Sequence, residues 1–148
     1  MAFDYDMDFD SIDFREQPEL YRVGRGEQGV LMVEPYKSEI LPHWRFKTPD
    51  IAKDSSEKIY AMYLDYKKSG DFVGMDMSRK FLQMGYTRAR RYANYKGGRK
   101  YDEEGHVKER EIDSQKAEAA EIFEKKWIKV REDEEYLALK KEHQKKYG

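Results

Sequence analysis

Apolar residues recur at helical spacing from Thr48 onward, and this segment gives a clear helix signal. Thr48 is a favourable N-cap, Pro49 suits the first helical position, and Asp50 places an acid in the first turn. Apolar and small residues then repeat every three or four positions, which predicts one buried stripe. We expect this helix to run to about Ser69, with Gly70 just beyond its C-terminus.

The pattern predicts two shorter helices next, separated by Gly85. Asp71 can cap the first of them, over about 72–84, and the second spans about 87–95 before Gly97-Gly98 ends it. A helix, a glycine turn and a short arginine-rich helix together resemble the layout of a helix-turn-helix.

Two further helices are expected in the C-terminal third of the chain. Asp113 or Ser114 can cap a long one, and the acidic run Glu132–Glu135 marks a break before a last helix of about 134–146. The long helix carries a narrow apolar stripe between charged flanks, formed by Ala117, Ala120, Phe123, Trp127 and Val130. Phe123, Trp127 and Val130 could pack along the body, pair two subunits or dock a protein partner.

Two β-favouring runs near the N-terminus, Leu20–Val23 and Val30–Val33, flank the glycine-rich segment 24–29. Apolar runs on either side of such a turn predict a β-hairpin. The turn lacks the Gly-Lys-Ser/Thr ending of a P-loop, so a phosphate cradle is the weaker interpretation. The expected fold class is therefore mainly α with a small β-hairpin near the N-terminus (α+β), built as a compact helical body with long C-terminal helices.

Composition limits the class of protein. The chain has 148 residues, of which 40% are charged and 39% are hydrophobic, and we expect one domain over 1–148. The absence of Cys excludes disulfide scaffolds, Cys nucleophiles and Cys-based zinc sites. No apolar run approaches about 18 residues and the acidic N-terminus does not resemble a signal peptide, so we expect a cytoplasmic protein that does not enter a membrane. The expected parts are an acidic arm (1–19), a hairpin and aromatic loop (20–47), a helical body with a basic segment (48–101) and charged C-terminal helices (102–148).

The formal net charge of −1 hides an uneven distribution. Residues 1–20 hold seven acids and one base, residues 21–101 hold 17 bases and nine acids, and residues 102–148 hold 11 bases and 14 acids. The three segments therefore carry −6, +8 and −3. An asymmetry of this kind bears on binding partners rather than on the fold.

The segment 79–100 lies in the positive part of the chain and contains no acid. Arginine dominates it, and the arginine fork suits phosphate oxygens and guanine edges. The interleaved tyrosines could stack on unpaired bases. The residues expected to contact nucleic acid are Arg79, Lys80, Arg88, Arg90, Arg91, Tyr92, Tyr95, Lys96, Arg99 and Lys100. An arginine-rich protein interface and a solvated face are the alternatives.

An irregular stretch around two prolines combines ionisable and aromatic side chains, namely Glu34, Glu39, His43 and Trp44. Two carboxylates and one His could hold a divalent metal, which would allow a metal-dependent phosphodiesterase. Trp44 is more simply a core anchor. Because nothing in the sequence fixes the geometry, we predict no catalytic residue, no metal and no cofactor.

The acidic arm alternates aromatic or Met side chains with Asp from Phe3 to Asp10. Such alternation is typical of a half-buried strand, but Asp disfavours strands, so an extended arm laid on the body is equally expected. The arm could shield a basic surface. A solvated N-terminus is the simpler interpretation.

Four long stretches of the sequence, residues 20–31, 33–49, 80–94 and 96–101, resemble a family known only as a domain of unknown function, found in bacteria and tailed bacteriophages. The resemblance extends over most of the chain. It implies a cytoplasmic protein and brings no established activity, so it assigns no catalytic residue.

The leading interpretation is a small cytoplasmic nucleic-acid-binding protein that is non-enzymatic, with a regulatory role as one option. The first alternative is a protein-interaction module that binds through its C-terminal helix or its arginine-rich face. The second alternative is the metal-dependent phosphodiesterase.

Overall fold

Three long helices pack against one another and position the rest of the chain. The structure, a computed structural model, describes residues 3–94, 103–106 and 113–148. The helices described are α1 (Tyr36–Ile40), α2 (Pro49–Lys68), α3 (Phe72–Asn94), α4 (Ser114–Arg131) and α5 (Glu134–Tyr147). Helices α2, α3 and α4 each contact the other two, and α5 lies against α3 and α4. The prediction of a mainly helical fold is confirmed.

Side-chain caps begin the helices where the sequence predicts them. Thr48 Oγ1 accepts a hydrogen bond from the backbone amide of residue 51 at 3.2 Å. Asp71 and Asp113 cap α3 and α4 in the same way, at 3.0 Å each. Asp133 caps α5 after the predicted break, also at 3.0 Å. Each cap satisfies an amide that the first helical turn leaves unpaired, which is why these starts are visible in the sequence.

Helix α3 is continuous over 23 residues, so the predicted break at Gly85 and the helix-turn-helix layout are wrong. Gly85 lies inside the helix beside the ring of Phe123 on α4, and a Cβ at position 85 would overlap that ring. Glycine is therefore needed here for the close approach of two helices rather than for a turn.

The segment before α1 contains no strand among the described residues, so the predicted β-hairpin is wrong. We call residues 24–29 the glycine loop. From this loop to Met32 the backbone follows a series of local turns, in each of which an amide donates to the carbonyl three residues earlier. The donors are the amides of Gln28, Val30 and Met32. The turns require positive φ at Gly24, Gly26 and Gly29.

Buried side chains tie the N-terminal segment to the helices. Phe14, Tyr21 and Val33 are fully buried. Phe3 packs its ring against Gly29, so the start of the acidic arm is laid on the glycine loop. Within the described residues, none of the helices has the length and apolar character needed to span a lipid bilayer.

Candidate functional site

A buried charged cluster on α3 connects the N-terminal segment with α5. Asp76 and Lys80 are completely buried, and Arg79 is nearly so. Arg79 donates to Asp76 Oδ1 from Nε at 3.0 Å and from Nη2 at 2.8 Å. Tyr136 donates its hydroxyl to the same oxygen at 2.5 Å, and Tyr21 donates to the other carboxylate oxygen. These partners are needed because an unpaired buried charge is costly.

The two cations of this cluster hold the glycine loop through its carbonyl groups. Arg79 Nη1 donates to the carbonyl of Gly26 and, at 2.9 Å, to Oε1 of Gln83. Lys80 Nζ donates to the carbonyl of Gln28 at 2.6 Å. The expected phosphate contacts of Arg79 and Lys80 are therefore replaced by contacts to the protein's own backbone, because both side chains lie inside the fold.

The charges of the cluster shift one another's pKa. Burial alone would raise the pKa of Asp76, but the charges of Arg79 and Lys80 and two tyrosine hydroxyls outweigh it and lower that pKa to about 2. Burial lowers the pKa of Lys80 to about 7; Asp76 opposes this fall and Arg79 adds to it. The cluster thus keeps Asp76 ionised, whereas Lys80 titrates near neutrality.

Farther along α3 the basic side chains reach the surface. Arg88 and Arg91 are exposed and, three residues apart, share one face of the helix. Arg90 is partly buried and lies on another side, because two residues turn a helix by about 200°. Arg25 of the glycine loop is exposed and lines the same cavity as Arg88. We call Arg25, Arg88 and Arg91 the basic surface.

One carboxylate, that of Glu27, lies among these arginines. It is partly buried, and its Oε2 is enclosed without a hydrogen-bond partner among the described residues. Burial raises the pKa of Glu27, and a hydrogen bond with Thr87 opposes the rise. The charges of Arg88, Arg79 and Arg91 oppose it further. Two exposed arginines of α3 are therefore within electrostatic reach of a residue of the glycine loop.

A cavity of about 430 Å³ opens where the acidic arm, the glycine loop and α3 meet. This volume is within the range of small-ligand sites, about 300–1,000 Å³. Tyr5 and Leu31 stand at its edge with 51% and 47% of their surface exposed. We call it the Tyr5 cavity; it is lined by Tyr5, Arg25, Glu27, Gln28, Gly29, Val30, Leu31, Met32, Met84 and Arg88.

The acidic arm reaches this cavity through Tyr5. Asp4 and Asp6, on either side of Tyr5 in the chain, are both exposed. The amide of Asp6 donates to Asp4 Oδ1 at 2.9 Å, which gives this part of the arm a local turn. Two acids of the arm thus stand close to the residue that shares a cavity with Arg25 and Arg88.

Tyr92, expected to stack on bases, is partly engaged by the body. Its ring packs against Phe46 at a centroid distance of 5.7 Å, and Lys116 Nζ lies 5.8 Å from the ring centroid. The side chain still has 40% of its surface exposed. The other expected contacts, Tyr95, Lys96, Arg99 and Lys100, lie outside the residues that the structure describes.

The acids of the aromatic loop each have partners of their own. Glu39 pairs with Arg15, with Oε1 to Nη2 and Oε2 to Nη1 distances of 2.7 and 2.8 Å. That hydrogen bonding lowers the pKa of Glu39, and Tyr66 donates to the same carboxylate at 2.7 Å. Glu34 accepts from the hydroxyl of Ser38 at 2.6 Å. The two carboxylates are thus engaged in separate interactions.

The remaining residues of that loop serve packing. The carbonyl of His43 accepts from Ser55 Oγ at 2.6 Å. Trp44 Nε1 donates to the carbonyl of Phe81 at 3.0 Å, so Trp44 anchors the loop on α3. No group of three or more His, Cys, Asp or Glu side chains able to hold a metal occurs in the part of the chain that the structure describes. The alternative in which Glu34, Glu39 and His43 form a metal site therefore has no geometric support there.

The apolar stripe of α4 packs against other parts of the same chain. Phe123 and Val130 are completely buried, and Phe123 packs on Gly85 of α3. Trp127 packs against Tyr86 with ring centroids 5.6 Å apart, and Arg131 covers it at 4.7 Å. Of the alternatives for Phe123, Trp127 and Val130, packing along the body is the one observed, because Phe123 and Trp127 lie against α3.

Sequence reasoning missed Arg25, Tyr5 and the buried carboxylate at Asp76. A signal for Asp76 exists: with 72–94 taken as one helix, Asp76 stands three and four residues before Arg79 and Lys80 and so shares a face with both. No local signal marks Arg25 or Tyr5, because the cavity brings them together with α3 from separate parts of the chain.

Comparisons with known proteins point to one family. The family model described as "Domain of unknown function (DUF4385)" matches residues 4–146. No curated protein and no solved structure matches the chain.

Proposed function

We propose that this chain, which belongs to the family of the domain of unknown function DUF4385, binds nucleic acid. The proposed function is non-enzymatic. The observation that carries the proposal is the basic surface: Arg25 of the glycine loop and Arg88 of α3 line one cavity, and Arg91 is exposed on the same face of α3 as Arg88. A surface built in this way attracts a chain of phosphates rather than a single counter-ion.

The chemistry of the basic surface suits phosphate. Arginine presents several donors in a planar fork that matches phosphate oxygens, and it stays charged at all physiological pH values. Glu27 cancels part of the positive charge, but it is partly buried while Arg25, Arg88 and Arg91 are exposed. Within this group of four charged side chains, the ones that meet solvent most are therefore the positive ones.

The buried cluster supports this role indirectly. Arg79 and Lys80 fix the carbonyls of Gly26 and Gln28, the residues on either side of Glu27. Arg25 is thus carried on a loop whose neighbouring backbone is held from inside the fold. A fixed loop lowers the entropy that binding must remove, so fewer contacts suffice.

Binding measurements at several salt concentrations test the proposal. Fluorescence anisotropy with labelled single-stranded DNA, duplex DNA and RNA gives affinities for the intact protein and for the double variant Arg88→Ala/Arg91→Ala. The matched control is Lys53→Ala/Lys58→Ala, which removes the same charge from exposed positions on α2. We expect the α3 variant to bind more weakly and to lower the salt slope of binding by about 2, or about 1 per lost phosphate contact. The control is expected to leave the slope unchanged.

Two results would overturn the proposal. One is the absence of salt-sensitive binding to any of the three nucleic acids at low ionic strength. The other is equal affinity for nucleic acid and for poly-glutamate of the same charge, which would favour an acidic protein as the partner of the arginine-rich face.

A further inference from the structure

We infer that the Tyr5 cavity receives one unpaired nucleobase, so that the protein prefers single-stranded over duplex nucleic acid. This inference rests on the proposed function and names the form of nucleic acid that the same site takes. Two features of the cavity carry it: its apolar wall with an exposed aromatic edge, and its charged rim.

The wall of the cavity is apolar in a chain that is otherwise rich in charge. Val30, Leu31, Met32 and Met84 line it. Leu31 is 47% exposed, which is notable in a chain where 40% of the residues are charged. A flat, largely apolar ring would cover this surface and remove it from water.

Tyr5 is held in place at the edge of the cavity while much of it stays open. Its hydroxyl accepts a hydrogen bond from the amide of Gly29 at 3.2 Å. Its ring packs edge-on against Phe3, with the centroids 5.0 Å apart. The exposed part of a ring fixed in this way is available for stacking, which is the sequence-tolerant means by which proteins hold unpaired bases.

The positive charges at the rim favour a ligand whose aromatic ring is attached to an anionic chain. Arg25 and Arg88 line the cavity, and Arg91 lies next along the exposed face of α3. A base entering between Arg25 and Arg88 would bring the phosphates attached to it close to both guanidinium groups. An uncharged aromatic ligand would leave these two charges unused.

Glu27 lines the cavity as well, but its Oε2 is enclosed and is not open to a ligand. The cavity therefore holds a base through the face of its ring. In a duplex the ring faces are stacked on their neighbours, so only an unpaired base can enter.

The test compares two oligonucleotides with the same number of phosphates. One is a ten-nucleotide single strand with bases, and the other is the abasic strand of equal length and charge. We expect the intact protein to bind the strand with bases about tenfold more tightly or better, since stacking on an aromatic side chain has this magnitude. Both strands should show the same salt slope, because they make the same phosphate contacts.

Variants locate the preference at the cavity. Leu31→Ala and Tyr5→Leu are expected to weaken binding of the strand with bases and to leave the abasic strand unaffected. Tyr5→Phe keeps the ring and should keep the preference. Leu64→Ala is the matched control, because Leu64 on α2 is exposed to a similar extent, 43%, away from the cavity lining.

The outcomes separate this inference from the proposed function. Salt-sensitive binding of both strands with equal affinity would overturn the base cavity and leave the proposed function standing. Equal affinity for duplex and single strand would do the same. The absence of salt-sensitive binding to either strand would overturn both.

Discussion

Gly85 on α3 and Phe123 on α4 stand in direct contact, with the aromatic ring lying where a side chain at position 85 would have to be. The contact lies at the interface of two helices that both belong to the core. Glycine normally weakens a helix, but Gly85 is required here because it allows α3 and α4 to pack closely together.

Replacing Gly85 by Ala tests this relationship. Alanine favours a helix over glycine by about 1 kcal/mol, yet we expect Gly85→Ala to destabilise the protein by about 1–3 kcal/mol because the added methyl group overlaps Phe123. Urea unfolding measures the change. In a Phe123→Ala background the same substitution should become neutral or stabilising. A rise in stability for Gly85→Ala alone would contradict the contact.

Asp76 is expected to be essential for the stability of the buried cluster. Asp76→Asn keeps the shape but leaves Arg79 buried without its counter-charge, for which we expect a loss of about 3–5 kcal/mol in the free energy of unfolding. Asp65→Asn on α2, where the side chain is exposed, is the control and should change little. A loss at Asp76 no larger than that of the control would show that the ion pair does not stabilise the fold.

The same carboxylate predicts a response to acid. The folded pKa of Asp76, about 2, lies below the value of about 3.9 for an unfolded chain. Its contribution is therefore complete above about pH 4 and is lost as the pH falls through 2. Unfolding at pH 7 and pH 3 should show a smaller difference between wild type and Asp76→Asn at the lower pH. A difference that is constant with pH would contradict the lowered pKa.

Lys80 predicts a second rise of stability with pH, this time on the alkaline side. Its folded pKa of about 7 is below the value of about 10.4 for an unfolded chain, so between these values the unfolded state binds more protons and stability rises with pH. Relative to Lys80→Met, the wild type should gain stability from pH 7 to pH 9, at up to about 1.4 kcal/mol per pH unit. Urea unfolding at pH 7, 8 and 9 measures this. Parallel curves for the two proteins, as expected for the exposed control Lys53→Met, would refute it.

The acidic arm is expected to compete with nucleic acid at the basic surface. Neutralising the acids beside Tyr5 with Asp4→Asn/Asp6→Asn should raise the affinity for single-stranded DNA, because two negative charges next to the binding site are removed. The gain should shrink as salt increases. The control Asp54→Asn/Asp65→Asn removes the same charge from exposed positions on α2 and should have a smaller effect. Equal gains in the two variants would assign the effect to net charge alone.

The helix starts were predictable because their signals are local. Thr48 and Asp113 each bind an amide within three residues, so the sequence around them carries the whole interaction. The residues of the predicted hairpin do not themselves indicate that no hairpin forms. The amides of Val30 and Met32, in the predicted second strand, donate to nearby carbonyls instead of to a partner strand. The carbonyls of Gly26 and Gln28, in the predicted turn, are held by Arg79 and Lys80 from more than 50 positions away. That competition is visible only in three dimensions.

The basic segment illustrates the same limit. A run of Lys and Arg residues without acids indicates a positively charged region, but it does not show which of these side chains are exposed to solvent. Arg79 and Arg88 are nine residues apart, about two and a half helical turns, and therefore lie on opposite sides of α3. One is buried against Asp76 and the other is exposed. Taking Gly85 as a stop hid this relationship, because it divided the helix between them.

The hydrogen bond between His143 and the carbonyl of Tyr21 spans 122 positions of the chain. Tyr21 itself donates to Asp76, which also accepts from Tyr136 near the end of the sequence. During synthesis from the N-terminus, the residues that lead into the glycine loop emerge first but cannot complete their contacts until α5 has left the ribosome. The N-terminal segment that leads into the glycine loop is thus completed only when a helix 122 positions later in the chain has reached it.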